Sequence, residues 1–145
     1  MKSVCLYTDG SCKGNPGPGG WAYLLVYTGP QGRLHERLVS GHENLTTNQR
    51  MELMAAIHGL GRLRGPCDVR LYTDSSYLIT VANGGTARRN TDLVAQLRTV
   101  ASQHQVTWIH VRAHSGHAEN ERVDAAAHGA ALGRTTEIRR ASVLS

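Results

Sequence analysis

The stretch "YTDGSCKGNPGPGGWAYLL", Tyr7–Leu25, decides how the chain is read. It leaves one strand-like run, passes a glycine–proline turn and enters a second apolar run, the pattern of a chain reversal between two strands. One carboxylate, Asp9, stands at the end of the first run, just before the turn. Upstream, Val4, Leu6 and Thr8 alternate with Cys5 and Tyr7, which predicts a strand over Lys2–Thr8. Trp21–Thr28 predicts the second strand, "GPQG" a turn, and Arg33–Ser40 the third. Three strands joined by turns predict an antiparallel meander.

Downstream the period changes. In "TTNQRMELMAAIHGLGRLRG", Leu53, Ile57 and Leu60 share one face beside Met51 and Met54, so this is an amphipathic helix, capped by Thr46 or Thr47 and closed by Gly65-Pro66. "DVRLYT" predicts a fourth strand, "SSYLITVAN" a short helix, and Thr91 caps a helix to about Gln103. "QVTWIHVR" predicts the fifth strand, "AHSGHAEN" a loop, and "ENERVDAAAHGAALG" an Ala-rich last helix. The order β-β-β-α-β-α-α-β-α implies an α/β fold: a five-stranded mixed sheet flanked by helices, with parallel pairing in its second half. Residues 1–133 form the one domain expected, and residues 134–145 a flexible, basic C-terminal tail.

Bulk properties bound the function. The 145 residues suit a single core, and 40% hydrophobic with 19% charged residues excludes a disordered chain. No apolar run is long enough for a membrane span, and the start shows no signal-peptide pattern. Cys5, Cys12 and Cys67 are odd in number and lack metal-site spacing, so reduced thiols and a cytoplasmic location are expected. A net charge of +5 is compatible with a polyanionic partner, and equally with a basic protein that has none.

The acids carry the chemistry. "LYTDGS" and "LYTDSS" are nearly the same phrase, each an apolar strand, then Thr, then Asp, then a small residue. If the two strands lie parallel and adjacent, Asp9 and Asp74 project from one sheet edge, where ligands bind in open α/β sheets. Like charges so placed call for a cation between them. Glu52 lies on the first helix and Asp124 on the last. Four acids without clustered Cys or His form an oxygen-only ligand set, which selects Mg²⁺ or Mn²⁺, and two such ions can grip both oxygens of a phosphodiester displacement. Each acid also has a plain alternative: Asp74 as a helix cap or turn former, Glu52 as an exposed helix residue, Asp124 as a partner of Arg122 or another cation.

Four phrases in order, "YTDGSCKGNPGPGGWA", "TTNQRMELMAAIHGL", "LYTDSSYL" and "HVRAHSGHAENERVDAAAHGAA", resemble type 1 ribonuclease H over nearly the whole chain. The resemblance implies the RNase H-like fold and an endoribonuclease that cuts the RNA strand of RNA–DNA hybrids with two Mg²⁺ ions, Mn²⁺ being a possible substitute, to leave 3′-hydroxyl and 5′-phosphate ends. It makes Asp9, Glu52, Asp74 and Asp124 the metal ligands. It makes His114 the loop histidine that aids proton transfer or product departure, and gives His117 a structural role. It turns Gly10, Ser11, Cys12, Asn15, Asn48, Gln49 and Ser76 toward the hybrid's minor groove, and Thr47 and Asn90 toward a phosphate of the DNA strand. The partner implied is the hybrid duplex, bound by a monomer, with no membrane.

Two departures from the family pattern stand out. The long basic insertion after the second Asp motif is missing, with only Arg88 and Arg89 in its place, and Leu45 replaces an Arg often found before the pocket Thr. Weaker hybrid binding and stronger salt sensitivity than in relatives with the insertion are therefore expected, with fewer phosphate contacts flattening the slope of log affinity against log salt, unless another basic surface such as Arg139 and Arg140 substitutes. The rivals are a non-catalytic hybrid- or duplex-RNA-binding module, another nuclease of the same superfamily, and a metal-dependent phosphatase.

Overall fold

The reversal after Asp9 is real and is followed by a second. In the computed structural model, which describes residues 1–112 and 117–143, β1 (Lys2–Cys12), β2 (Gly17–Thr28) and β3 (Arg33–Thr46) pair antiparallel in chain order. Then follow α1 (Asn48–Gly61), β4 (Cys67–Thr73), α2 (Ser76–Ala82), α3 (Thr91–Ala101), β5 (Gln105–His110), α4 (Ala118–Ala131) and β6 (Glu137–Val143). Helical crossovers force parallel pairing of β4 with β1 and of β5 with β4. The sheet order is β5-β4-β1-β2-β3-β6.

Three expectations need correction. The sheet has six strands rather than five, because the stretch expected as a flexible tail contains β6, whose Glu137–Val143 pairs antiparallel with Arg33–Val39. The unpaired edge of β3 offers a row of backbone donors and acceptors that a polar segment can join. The Arg37–Glu137 ion pair of 2.8 Å spans the join. Second, β3 runs six residues past Ser40, carried by its pairing with Gly17–Gly20. Third, α3 is preceded by Asn90 in a left-handed conformation (φ 57°), so Thr91 is its first helical residue and not its cap.

The two faces of the sheet are packed differently. On one face α1, α2 and α3 bury Leu53, Leu60, Leu78, Leu93 and Leu97 against Leu6, Val69 and Leu71. On the other, α4 lies alone over Ala22, Leu24 and Leu38, with Val123 and Ala127 inward. Alanines and Gly20 bring α4 very close: a Cβ on Gly20 would stand 2.3 Å from the Ala127 carbonyl oxygen. No helix among the described residues is long and apolar enough to cross a membrane.

Candidate active site

The sheet opens where the two "LYTD" strands part. Parallel pairing of β1 with β4 runs to Tyr7 opposite Tyr72. Beyond it β4 ends at Thr73, while β1 continues alongside β2, with Asp9 opposite Ala22. Asp9 and Asp74 flank this divergence at the carboxyl edge of the parallel strands.

Each acid is held by its own element. Asp9 accepts the Gly10 N–H at 2.8 Å. Burial, then the Asp74 charge and contact with Asp124, push its carboxyl up to about 8, against the Gly10 hydrogen bond that pulls it down. Glu52 reaches the site because β1 and α1 touch at backbone level: a Cβ on Gly10 would lie 2.5 Å from the Glu52 nitrogen. The Glu52 carboxylate accepts Asn48 Nδ2 at 2.9 Å, one turn back along α1. Burial raises its pKa, a Ser75 hydrogen bond lowers it, and the Asp74 charge raises it further. Asp124 rides on α4, exposed, facing Asp9.

The plain alternatives for these acids can be judged from their surroundings. The cap of α2 is Ser75, whose Oγ accepts the Leu78 N–H at 3.0 Å, so capping does not occupy Asp74. Arg122 pairs with Glu36 at 2.9 Å, not with Asp124. Glu52 is only partly exposed and is hydrogen-bonded.

Asp9, Asp74 and Asp124 line a narrow cavity of about 30 Å³ together with Thr8, whose buried hydroxyl has no hydrogen-bond partner among the described residues. That volume accommodates a water-sized species. Among the described residues no group of three or more His, Cys, Asp and Glu is drawn together tightly enough to hold an ion as it stands. The acids meet in pairs instead: Asp9 with Asp74, Asp9 with Asp124, Glu52 with Asp74. Such an oxygen-only set, in which Asp9 keeps its proton to about pH 8, fits a hard divalent cation that would replace that proton.

On the other side of Asp74 lies a cleft of about 620 Å³, lined by Asn15, Thr47, Asn48, Gln49, Glu52, Ser76 and Asn90 among others. Six residues expected to face a nucleic acid thus share one cleft with two of the acids. Asn15 Oδ1 accepts the Asn48 N–H at 2.8 Å, tying the first turn to α1. Thr47 caps α1, accepting the Arg50 N–H at 3.3 Å, and still lines the cleft. Asn90 is fixed by Tyr77 Oη at 3.1 Å and by Gln49 and Arg50 at 3.4 Å each. Leu45 is 77% exposed. Gly10, Ser11 and Cys12 continue β1 past Asp9, the Cys12 thiol approaching the Gly17 and Thr46 carbonyls. His117 is exposed beside the narrow cavity at the start of α4, and His114 lies outside the described residues.

Sequence reasoning overlooked several supports. Ser75 touches Glu52, Tyr77 and Arg50 hold Asn90, and Arg89 lines the cleft. His110 Nε2 stands 3.2 Å from the Asp74 carbonyl oxygen. Ser75 was accessible as the small residue between Asp74 and an apolar helix. The others depend on contacts between distant segments.

Residues 1–132 match the family model described as RNase H. The chain is 45% identical to the ribonuclease HI of Xylella fastidiosa (strain 9a5c), with 95% of this chain and 98% of that protein covered. Among solved structures it is similar to LC9-RNase H1, described as a type 1 RNase H with the type 2 active-site motif, at 32% identity and a TM-score of 0.81, covering 98% of this chain and 78% of that one. It also shares its fold with LC11-RNase H1, solved in complex with an RNA/DNA hybrid, at 22% identity and a TM-score of 0.70, covering 90% of this chain and 97% of that one. The chain belongs to the ribonuclease H family, as a type 1 ribonuclease H.

Proposed function

We infer that the chain is an endoribonuclease that hydrolyses the RNA strand of RNA–DNA hybrids, leaving 3′-hydroxyl and 5′-phosphate ends. The observation that carries this reading is the junction at Asp74, where a narrow carboxylate-lined cavity meets a wide cleft of amides and hydroxyls. The first suits phosphodiester chemistry. The second suits a duplex read by shape and 2′-hydroxyls rather than by base sequence.

The family is metal-dependent, and the donors present suit Mg²⁺, or Mn²⁺ in its place, held as two ions by Asp9, Glu52, Asp74 and Asp124. Bound there, the ions would polarise the scissile phosphate and supply hydroxide near neutral pH. The chain's own groups do the rest. The Gly10 N–H orients Asp9, and Asn48 with Ser75 orients Glu52. Asn15, Asn48, Gln49, Ser76 and the backbone of Gly10–Cys12 face the minor groove, and Thr47 with Asn90 takes a DNA-strand phosphate. His114 assists proton transfer or product departure. All four acids come from one chain, in keeping with a monomer, and three free cysteines accord with the reducing cytoplasm.

The test sets hybrid, double-stranded RNA and double-stranded DNA side by side, with Mg²⁺ and with chelator, and small phosphate esters beside them. The expected result is Mg²⁺-dependent cutting of the hybrid's RNA strand alone, with 5′-phosphate products. Binding without cutting, equal cutting of duplex RNA, or turnover of the esters alone would overturn the reading.

A further inference from the structure

Along β1, alternate residues face opposite sides of the sheet. Gly10 faces α1, since a Cβ there would meet Met51 and Glu52. Asp9, Ser11 and Lys13 therefore face the α4 side. Along α4, residues four apart share a face, so Asp124 and His128 line up. The two periods mesh. Asp9 meets Asp124, and one step outward Ser11 Oγ stands 3.5 Å from His128 Nδ1 while Lys13 Nζ stands 2.8 Å from His128 Nε2. The ammonium of Lys13 must be the donor, so Nε2 accepts and Nδ1 carries the imidazole proton toward Ser11.

This is a basic step built onto the acidic one. Among the described residues Lys13 makes no ion pair, its polar side-chain partner being an imidazole that brings no negative charge. His128 is exposed and Lys13 partly so. His128 lies about 6 Å beyond Asp124 along α4. One nucleic-acid strand advances about 3.4 Å per nucleotide. The other basic candidates stand elsewhere. Arg139 and Arg140 are on β6, three strands from β1, paired with Arg37 and Glu36, well below the level of Asp9 opposite Ala22 and Ser40. Arg89 lines the wide cleft beside Asn90, and Arg88 lines a neighbouring cavity with it, on the other side of Asp74.

We propose that Lys13 and His128, with Ser11 between them, form a phosphate-binding step that grips the backbone of the RNA strand one or two nucleotides from the linkage being cut. The proposal rests on the hybrid-cleaving reading and extends it with a contact on the α4 side of the acids, opposite the wide cleft. It offsets part of the grip that the shortened segment between α2 and α3 lacks.

The experiment measures hybrid affinity by fluorescence anisotropy against salt concentration, in the Asp9→Asn background so that the strand stays whole. Lys13→Ala with His128→Ala should weaken binding about three- to tenfold at 0.1 M salt. It should also lower the salt slope by about 0.7 to 0.9, the signature of one lost phosphate contact. Lys13→Arg should restore both, and thermal melting should show every variant folded. A single methylphosphonate, neutral at one linkage, then identifies the strand. Placed in the RNA near the cleavage site it should weaken the parent but not the Lys13→Ala variant, and placed in the DNA it should weaken both alike. A parent that does not bind hybrid overturns the functional reading and this inference together. A parent that binds, with unchanged affinity and slope in the variants, or with coupling to the DNA strand, overturns this inference alone.

Discussion

The two faces of the sheet hold the same site by opposite means. The face under α1–α3 is thick and leucine-rich, and it presents Glu52 anchored by Asn48 and Ser75. The face under α4 is thin, with Val123 and Ala127 packed over Ala22, Leu24 and Leu38 beside Gly20, and it presents Asp124 exposed at the end of a close backbone approach. One wall positions its acid by hydrogen bonds and volume, the other by proximity. Asp9 stands between them, and its burial, then the Asp74 charge and contact with Asp124, push its carboxyl up to about 8. The contrast implies that the two walls should fail in different ways.

The largest effect is expected where the walls meet. Asp9→Asn should lower hybrid cleavage at least about a thousandfold while the protein still folds, because Asp9 borders both Asp74 and Asp124. Steady-state cleavage with Mg²⁺ decides it, and near-normal turnover would remove Asp9 from the centre of the site. Next come the walls. Leu60→Ala on the thick face should cost about 2–5 kcal/mol in denaturant unfolding, since it leaves a cavity among fully buried side chains. Ala127→Leu on the thin face should cost about 1–3 kcal/mol by overpacking, although it adds apolar surface. If enlargement were tolerated under α4 as truncation is not under α1, the close approach would have no structural role.

A smaller effect sharpens the contrast between the two acids. Asn48→Ala should lower cleavage about tenfold and raise the Mg²⁺ concentration needed for half-maximal rate, with folding stability changed by about 1 kcal/mol. No alanine change next to exposed Asp124 should do as much, and a cleavage assay across Mg²⁺ concentrations compares them. The smallest effect belongs to the far edge. Glu137→Ala removes a mostly exposed ion pair with Arg37 and should cost no more than about 1 kcal/mol. A larger loss in thermal melting would mean that β6 depends on that pair rather than on its backbone ladder.

What the sequence made legible follows from which interactions are local. The repeated "LYTD" phrase announced two equivalent strands, and the helix between them required a parallel pair, so the divergence at Asp9 and Asp74 could be anticipated. The meander was legible because its turns carry Gly and Pro. β6 was not, because "EIRRASV" is mostly polar or small, with Ile138 packing against the core, and its strand character is imposed by the edge of β3. Glu52 was legible as a ligand through the family phrase around it and not through its place on the helix, since what brings it to the site is the missing Cβ of Gly10, a contact across the fold. Lys13 and His128 were invisible for the same reason: each looks like a solvated surface residue until the strand period and the helix period are set side by side.

The central claim is that the acids form one charge-coupled set completed by a divalent ion, and metal-linked stability tests it most directly. In the folded protein Asp9 binds its proton up to about pH 8, whereas an unfolded Asp releases it near 3.8. Between those values the folded state holds more protons, so without divalent ions stability should fall as pH rises from about 4 to 8 and level off above. Thermal unfolding across that range, with chelator and with Mg²⁺, should show this decline for the parent chain, its reversal by Mg²⁺ at pH 8, and an Asp9→Asn variant that is more stable than the parent in chelator and barely responds to Mg²⁺. A parent whose stability in chelator is flat from pH 4 to 8 and is unmoved by Mg²⁺, or an Asp9→Asn variant that Mg²⁺ stabilises as much as the parent, would contradict the account.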